Sequence, residues 1–161
     1  MTTTEDPHYG SCACGHVRYR MNSNPLVVHG CHCSLCQRQN GSAFAVNALI
    51  EEDRVDLLEG DVVGITVPSP SGANQTIFRC PKCQVALWSY YLVFHDGVRF
   101  IRVGTLDDPS RLPPDVHIYT ASKQPWFELP ENALAVEEYY VTDDVWREES
   151  LERRKALLTE S

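Results

Sequence analysis

Apolar residues along this chain recur in short runs of period two, each entered from a turn. Residues 17–21 (VRYRM) follow Gly15, residues 26–30 (LVVHG) follow Asn24-Pro25, and residues 43–50 (AFAVNALI) follow Asn40-Gly41, so each is predicted as a strand. The same pattern predicts strands over 55–58, 62–67, 76–79, 86–94 and 98–103, with 68–74 (PSPSGAN) as an exposed loop. About eight short strands imply a mainly β architecture.

Two stretches are predicted helical. Residues 34–40 lie between a cysteine cluster and Gly41, which can take the positive φ of a helix C′ position. The second is the tail, about residues 142–160, with Thr142 as N-cap and Asp143 and Asp144 at the positive end of the helix dipole. Its apolar residues Trp146, Leu151 and Leu158 make only a thin stripe, so this helix is expected to dock weakly or fray. No internal repeat and no long linker divides the chain. Residues 1–161 are therefore expected to form one domain with its core over about 9–130, burying roughly 70% of the unfolded surface.

The formal charge of −8, from 14 Lys+Arg against 22 Asp+Glu, leaves little for a basic face, so nucleic acid is not expected as a partner. No run approaches the roughly eighteen apolar residues of a membrane span, and the opening MTTTEDPHY has neither the basic nor the apolar region of a signal peptide. The expectation is a cytoplasmic protein with no membrane partner; nothing in the sequence marks its oligomeric state.

Seven cysteines change this picture, because an odd number leaves one thiol over in any intramolecular disulfide scheme. They fall as Cys12-x-Cys14, Cys31-x-Cys33-x-x-Cys36 and Cys80-x-x-Cys83. Two thiolates separated by two residues can hold one tetrahedral ion from a tight turn, and Pro81-Lys82 suits such a turn. A closed structural zinc takes four ligands. The most economical division is one closed set, Cys12, Cys14, Cys80 and Cys83, and one open set, Cys31, Cys33 and Cys36, all within six residues. Two closed zinc sites, with His32, His29 or His16 as eighth ligand, and seven inert core cysteines are the alternatives.

Together, Gly10-Ser11-Cys12-Ala13-Cys14-Gly15 with Val17-Arg18-Tyr19, then Cys31-His32-Cys33-Ser34-Leu35-Cys36-Gln37-Arg38 with Gly41, then Phe78-Arg79-Cys80-Pro81-Lys82-Cys83 with Leu87-Trp88, and finally Gly104-Thr105-Leu106-Asp107-Asp108 with Pro125-Trp126, carry a family resemblance. The chain resembles the glutathione-dependent formaldehyde-activating enzyme family, which includes the centromere protein V type of domain. The resemblance implies an Mss4-like fold of short antiparallel strands stapled by a structural zinc, and two zinc ions per chain. It places the structural ligands on Cys12, Cys14, Cys80 and Cys83 and the catalytic zinc ligands on Cys31, Cys33 and Cys36, in agreement with the ligand count.

Three thiolates make zinc a poor Lewis acid for hydrolysis and a better partner for a substrate thiol. The expected activity is that of a carbon-sulfur lyase resembling S-(hydroxymethyl)glutathione synthase, making or breaking a thiol-carbon adduct. The alternatives are the same site acting on another thiol adduct or carbonyl, and a non-enzymatic zinc-stabilised interaction module. The partner is a small thiol or thiol adduct such as glutathione, whose negative charge directs attention to Gln37 and Arg38 as substrate contacts. Arg79, Lys82, Arg102 and Lys123 are further cations, usually solvated; His32 and His117 are candidate proton donors, His95 reads as turn chemistry, and Pro125-Trp126-Phe127 is expected to pack in the core.

Overall fold

A computed structural model describes residues 6–91 and 97–160. Among them are ten strands: β1 (His8–Ser11), β2 (Arg18–Met21), β3 (Val27–Cys31), β4 (Ala45–Glu51), β5 (Val55–Glu59), β6 (Val63–Pro68), β7 (Asn74–Arg79), β8 (Ala86–Tyr91), β9 (Val98–Arg102) and β10 (Val116–Ile118). All eight expected strands are present, although the end of the expected 86–94 strand and His95 lie outside the described residues. β1 and β10 are additional. β1, His-Tyr-Gly-Ser, has no apolar alternation to announce it, and β10 is three residues long.

A small antiparallel sheet, β1-β2-β5, packs on a seven-stranded sheet of order β10-β3-β4-β9-β8-β7-β6. The expectation of antiparallel strands alone is corrected at one place. β10 runs parallel to β3, with Val116 opposite His29 and Ile118 opposite Cys31, because the chain reaches that edge by a long return from β9 rather than through a hairpin.

Alternation along the central strands divides the interior into two cores. Ala48 and Ile50 of β4 and Ile101 of β9 meet Tyr19, Met21 and Val55 of the small sheet. On the opposite face Val27, Cys31, Ala45, Leu49 and Phe100 meet Val116 and Ile118, and α1 (Ser34–Asn40) contributes Cys36. α1 ends as expected: Gly41 takes φ 61° and its N–H bonds to the Gln37 carbonyl.

The tail departs from its expected single, loosely held helix. α2 (Thr142–Val145) stops where Trp146 turns extended (ψ 145°), and α3 (Glu148–Glu160) follows; Val141, not Thr142, occupies the cap position. Polar anchoring replaces the missing apolar stripe. The buried Ser150 hydroxyl donates to the Leu26 carbonyl at 2.7 Å, and Arg153 donates through Nε to Glu51 Oε1 at 2.7 Å and through Nη1 to the Asn24 carbonyl at 2.9 Å. Val145 and Trp146 close over the second core, where the Trp146 indole N–H donates to the Tyr140 hydroxyl at 2.8 Å.

Glu51 is 4% exposed, and burial, the largest single effect, raises its carboxyl, but the Arg153 hydrogen bonds, a backbone hydrogen bond and the charges of Arg153 and Arg54 together hold it below the ordinary carboxylate range. The pair therefore contributes fully above that range, and its contribution is lost as pH falls through the depressed folded value. Arg153→Ala leaves the buried carboxylate with only the longer, half-exposed Arg54 pair at 3.4 Å. It is expected to cost about 3 kcal/mol and lower Tm by roughly 6–12 °C in a thermal melt at pH 7; a variant melting with the parent would show that the tail is not anchored there.

Candidate metal centre

Cys12 and Cys14 occupy the turn leaving β1, where Gly15 at φ 79° bonds its N–H back to the Cys12 carbonyl at 3.3 Å. Cys80 follows β7, and the chain reverses through Pro81-Lys82-Cys83 to Gln84, which adopts φ 64° and donates its N–H to the Cys80 carbonyl at 3.0 Å. Backbone amides surround the sulfurs: Val17 N–H lies 3.3 Å from Cys12 Sγ, and the Lys82 and Cys83 amides lie 3.4 and 3.5 Å from Cys80 Sγ. The four Sγ atoms fall within 4.8 Å of one another, with Cys12–Cys14 at 3.6 Å and Cys14–Cys80 at 3.8 Å. Tetrahedral zinc with bonds of about 2.3 Å sets its sulfurs about 3.8 Å apart, whereas a disulfide holds them at about 2.0 Å. All seven cysteines are free thiols, so the donor set fits the metal.

The second group is built on the other face of the large sheet. Cys31 ends β3 opposite Ala45, Cys33 is the N-cap of α1 and accepts the Cys36 N–H at 3.3 Å, and Cys36 is the buried residue of α1. Their Sγ atoms also lie within 4.8 Å of one another. Hydrogen bonds from Cys31 and then Cys36 push the Cys33 thiol down to about 2, while sharing with Cys33 pushes Cys31 up. Such a triangle gives up all its protons only to a cation.

No histidine, aspartate or glutamate joins either group among the described residues. The proposed eighth ligands are engaged elsewhere: His16 pairs with Asp61 at 2.6 Å, His29 Nε2 meets the Tyr140 hydroxyl, and His32 Nε2 meets His117 Nδ1 at 2.9 Å. Burial pushes His32 down to about 4, aided by the charges of His117 and Lys123, and burial lowers His117 as well. Both rings are closed off, His32 stacking on Phe44 with Phe127 behind it. They support the Cys31–Cys36 loop rather than opening to solvent.

Along the exposed face of α1, away from the buried Cys36, runs an open groove of about 800 Å³ lined by Ser34, Gln37, Arg38, Ser42, Gln124 and Trp126, among others; none of the three cysteines lines it. Gln37 works as a strut: its amide donates to the His32 carbonyl at 2.8 Å and the Ser122 carbonyl at 2.9 Å, and its oxygen accepts from Gln124 at 2.7 Å. Arg38 is exposed and makes no ion pair among the described residues. The expectation that Pro125-Trp126-Phe127 fills the core holds only in part. Phe127 packs inward against Phe44, but Trp126 is 71% exposed at the groove wall, because residues 123–141, after the 3-10 turn Thr120–Ser122, form no helix or strand whose periodicity would turn it in.

The other cations part company. Arg79 donates to the Gln84 carbonyl of the Cys80–Cys83 turn, Lys123 donates to the Gln124 and Phe127 carbonyls, Lys82 is exposed on that turn, and Arg102 is buried. Tyr91 and Tyr119, absent from the sequence reading, interact electrostatically with all three cysteines of the triplet. Burial raises Tyr91 and Tyr119, and the nearby Cys31, Cys33 and Cys36 thiols add to both shifts. No motif singles out either residue, though Tyr119 carries the rare positive φ of 54° for a non-glycine.

The sequence profile of the family described as glutathione-dependent formaldehyde-activating enzyme matches residues 7–122. Two relatives carry the family's name. One, from Halomonas elongata, is 27% identical over 130 residues, 74% of this chain and 79% of its own length. The other, from Penicillium rubens, is 26% identical over 113 residues, 69% of this chain and 58% of its own length. A crystal structure of a Rhodobacter sphaeroides protein aligns at 16% identity and a TM-score of 0.47, over 64% of this chain and 93% of that one.

Proposed function

This chain belongs to the glutathione-dependent formaldehyde-activating enzyme family, and from that premise we propose that it is a zinc-dependent carbon-sulfur lyase of an Mss4-like fold. Cys12, Cys14, Cys80 and Cys83 hold the structural zinc, and Cys31, Cys33 and Cys36 hold the catalytic one. The observation that carries this reading is the difference between the clusters: four convergent sulfurs in one, three in the other, with no fourth acidic or imidazole ligand beside the three among the described residues. A zinc held by the triplet supplies an open position that binds a substrate thiol and lowers its pKa, so that it reacts as a thiolate near neutral pH.

The protein's own side chains do the positioning. The Gln37 strut and the Ser122 hydroxyl, which also donates to the His32 carbonyl at 2.9 Å, hold the Cys31–Cys36 loop rigid. Trp126 and Arg38 flank the groove, where an anionic tripeptide finds an apolar wall and a guanidinium for its carboxylate. Tyr119, 37% exposed and interacting electrostatically with the triplet, is the phenol we assign to hydrogen-bond the aldehyde oxygen. Sulfur-carbon bond formation there turns the carbonyl into an alcohol, and the reverse step releases thiol and aldehyde. Reduced thiols are a requirement of both centres, which suits a cytoplasmic setting.

Zinc-loaded protein mixed with formaldehyde and glutathione is expected to accelerate adduct exchange measured by NMR exchange spectroscopy. Exchange no faster than without protein, across several thiols, would contradict the enzymatic reading and favour an interaction module. Arg38→Gln is expected to remove about 1 kcal/mol of binding, raising KM for glutathione about fivefold with kcat little changed. An unchanged KM would move the carboxylate contact elsewhere.

A further inference from the structure

Arg102 is a buried cation with no carboxylate partner among the described residues. It is 6% exposed at the end of β9, none of the ion pairs among the described residues includes it, and its Nε has no hydrogen-bond partner. Among the described residues its one hydrogen bond to a side chain runs from Nη1 to Asn47 Oδ1 at 2.5 Å. Buried charges are ordinarily paired, because an amide dipole does not replace the solvation that a guanidinium loses.

Register shows where the missing counter-charge lies. Asn47 of β4 stands between Arg102 of β9 and His29 of β3, and β4 is the strand between those two in the sheet. The bond to Asn47 therefore turns the guanidinium from β9 across β4 toward β3, where Cys31 lies two residues beyond His29 on the same face. Two strand spacings across and two residues along put the two backbones about 12 Å apart, a span that an extended arginine and a cysteine directed toward each other nearly bridge. Burial lowers Arg102, and the Cys36 charge leads the interactions that restore its cationic form, with Tyr91 and Cys31 after it. A triplet of thiolates around a divalent ion carries a net charge of −1, which a neighbouring guanidinium offsets.

We propose that Arg102 is the counter-charge of the Cys31/Cys33/Cys36 centre, a positioning residue that strengthens its hold on a divalent metal and offsets the charge of an incoming thiol. The inference rests on the open-site reading above. Arg102 does not touch the reacting atoms and acts through the ligands. In the sequence it is one of several cations assigned to the surface, although its strand phase with Phe100 places it on the inner face.

The test is metal retention by the full chain loaded with Co²⁺ and titrated with a chromophoric chelator, followed in the thiolate-to-metal absorption bands. Wild type is expected to lose its metal in two phases, the three-cysteine site first. Arg102→Met is expected to weaken that first phase about 10–100-fold while leaving the four-cysteine phase unchanged. Arg102→Lys, which keeps the charge and loses the fork, should recover most of the loss; the unchanged second phase reports an intact fold. An Arg102→Met protein that holds metal as wild type does, or an Arg102→Lys protein as impaired as Arg102→Met, overturns the assignment while leaving the open site standing. A wild type that binds a single ion overturns the open site itself, and Arg102's role with it.

Discussion

Cys80→Ala is expected to leave the protein unfolded at ambient temperature, with zinc content falling by both ions and the far-ultraviolet circular dichroism of the sheets lost. Cys80 is fully buried, at 0% exposure, and its sulfur receives two amide hydrogen bonds from the turn that it anchors. Across the cluster, the turn after β1 is joined to the turn after β7, so one ion ties the three-stranded sheet to the seven-stranded one. Structural zinc sites contribute about 10–16 kcal/mol of apparent binding free energy, and a domain of this size is stable by only about 5–15 kcal/mol. Even a partial loss exceeds what the remaining core can supply. A cooperative melt within a few degrees of wild type would remove the four-cysteine site from its structural role.

Cys33→Ala should behave in the opposite way, losing activity on the order of a thousandfold or more while keeping the fold and one zinc. Cys33 is half-buried, and its visible structural duty is the N-cap of a seven-residue helix. Loss of a cap costs about 1 kcal/mol, which lowers Tm by roughly 2–4 °C in a chain of this length. The surrounding loop is held independently by the Gln37, Ser122 and Gln124 hydrogen bonds. Steady-state adduct exchange, zinc analysis and a thermal melt on the same sample separate the effects. Equal destabilisation by Cys33→Ala and Cys80→Ala would contradict the division of roles.

The grouping of the cysteines into four and three was legible in the sequence because metal chelation is local: Cys31, Cys33 and Cys36 are within reach of one ion whatever the rest of the chain does. Joining Cys12 and Cys14 to Cys80 and Cys83 needed only the ligand count. The eight expected strands were legible for the same reason of locality, since alternation records which face of a strand is buried. What was not legible depends on partners distant in sequence. β10 becomes a strand because β3 lies beside it, with Val116 opposite His29. The tail docks through the buried Ser150 hydroxyl and the Arg153–Glu51 ion pair, polar contacts that leave no periodic trace. Gln37 reads as a ligand contact after a cysteine cluster, and becomes a strut because Ser122 and Gln124 arrive from far along the chain.

Zinc-edge X-ray absorption on the two-zinc protein, recorded before and after glutathione is added, tests the four-plus-three assignment most directly. Seven thiols over two ions predict an average of 3.5 sulfurs per zinc without substrate. That average should rise to about 4 with glutathione, at unchanged metal content, as one further sulfur joins the open site. An average already closed at four protein ligands per zinc, with no change on adding glutathione, would contradict it.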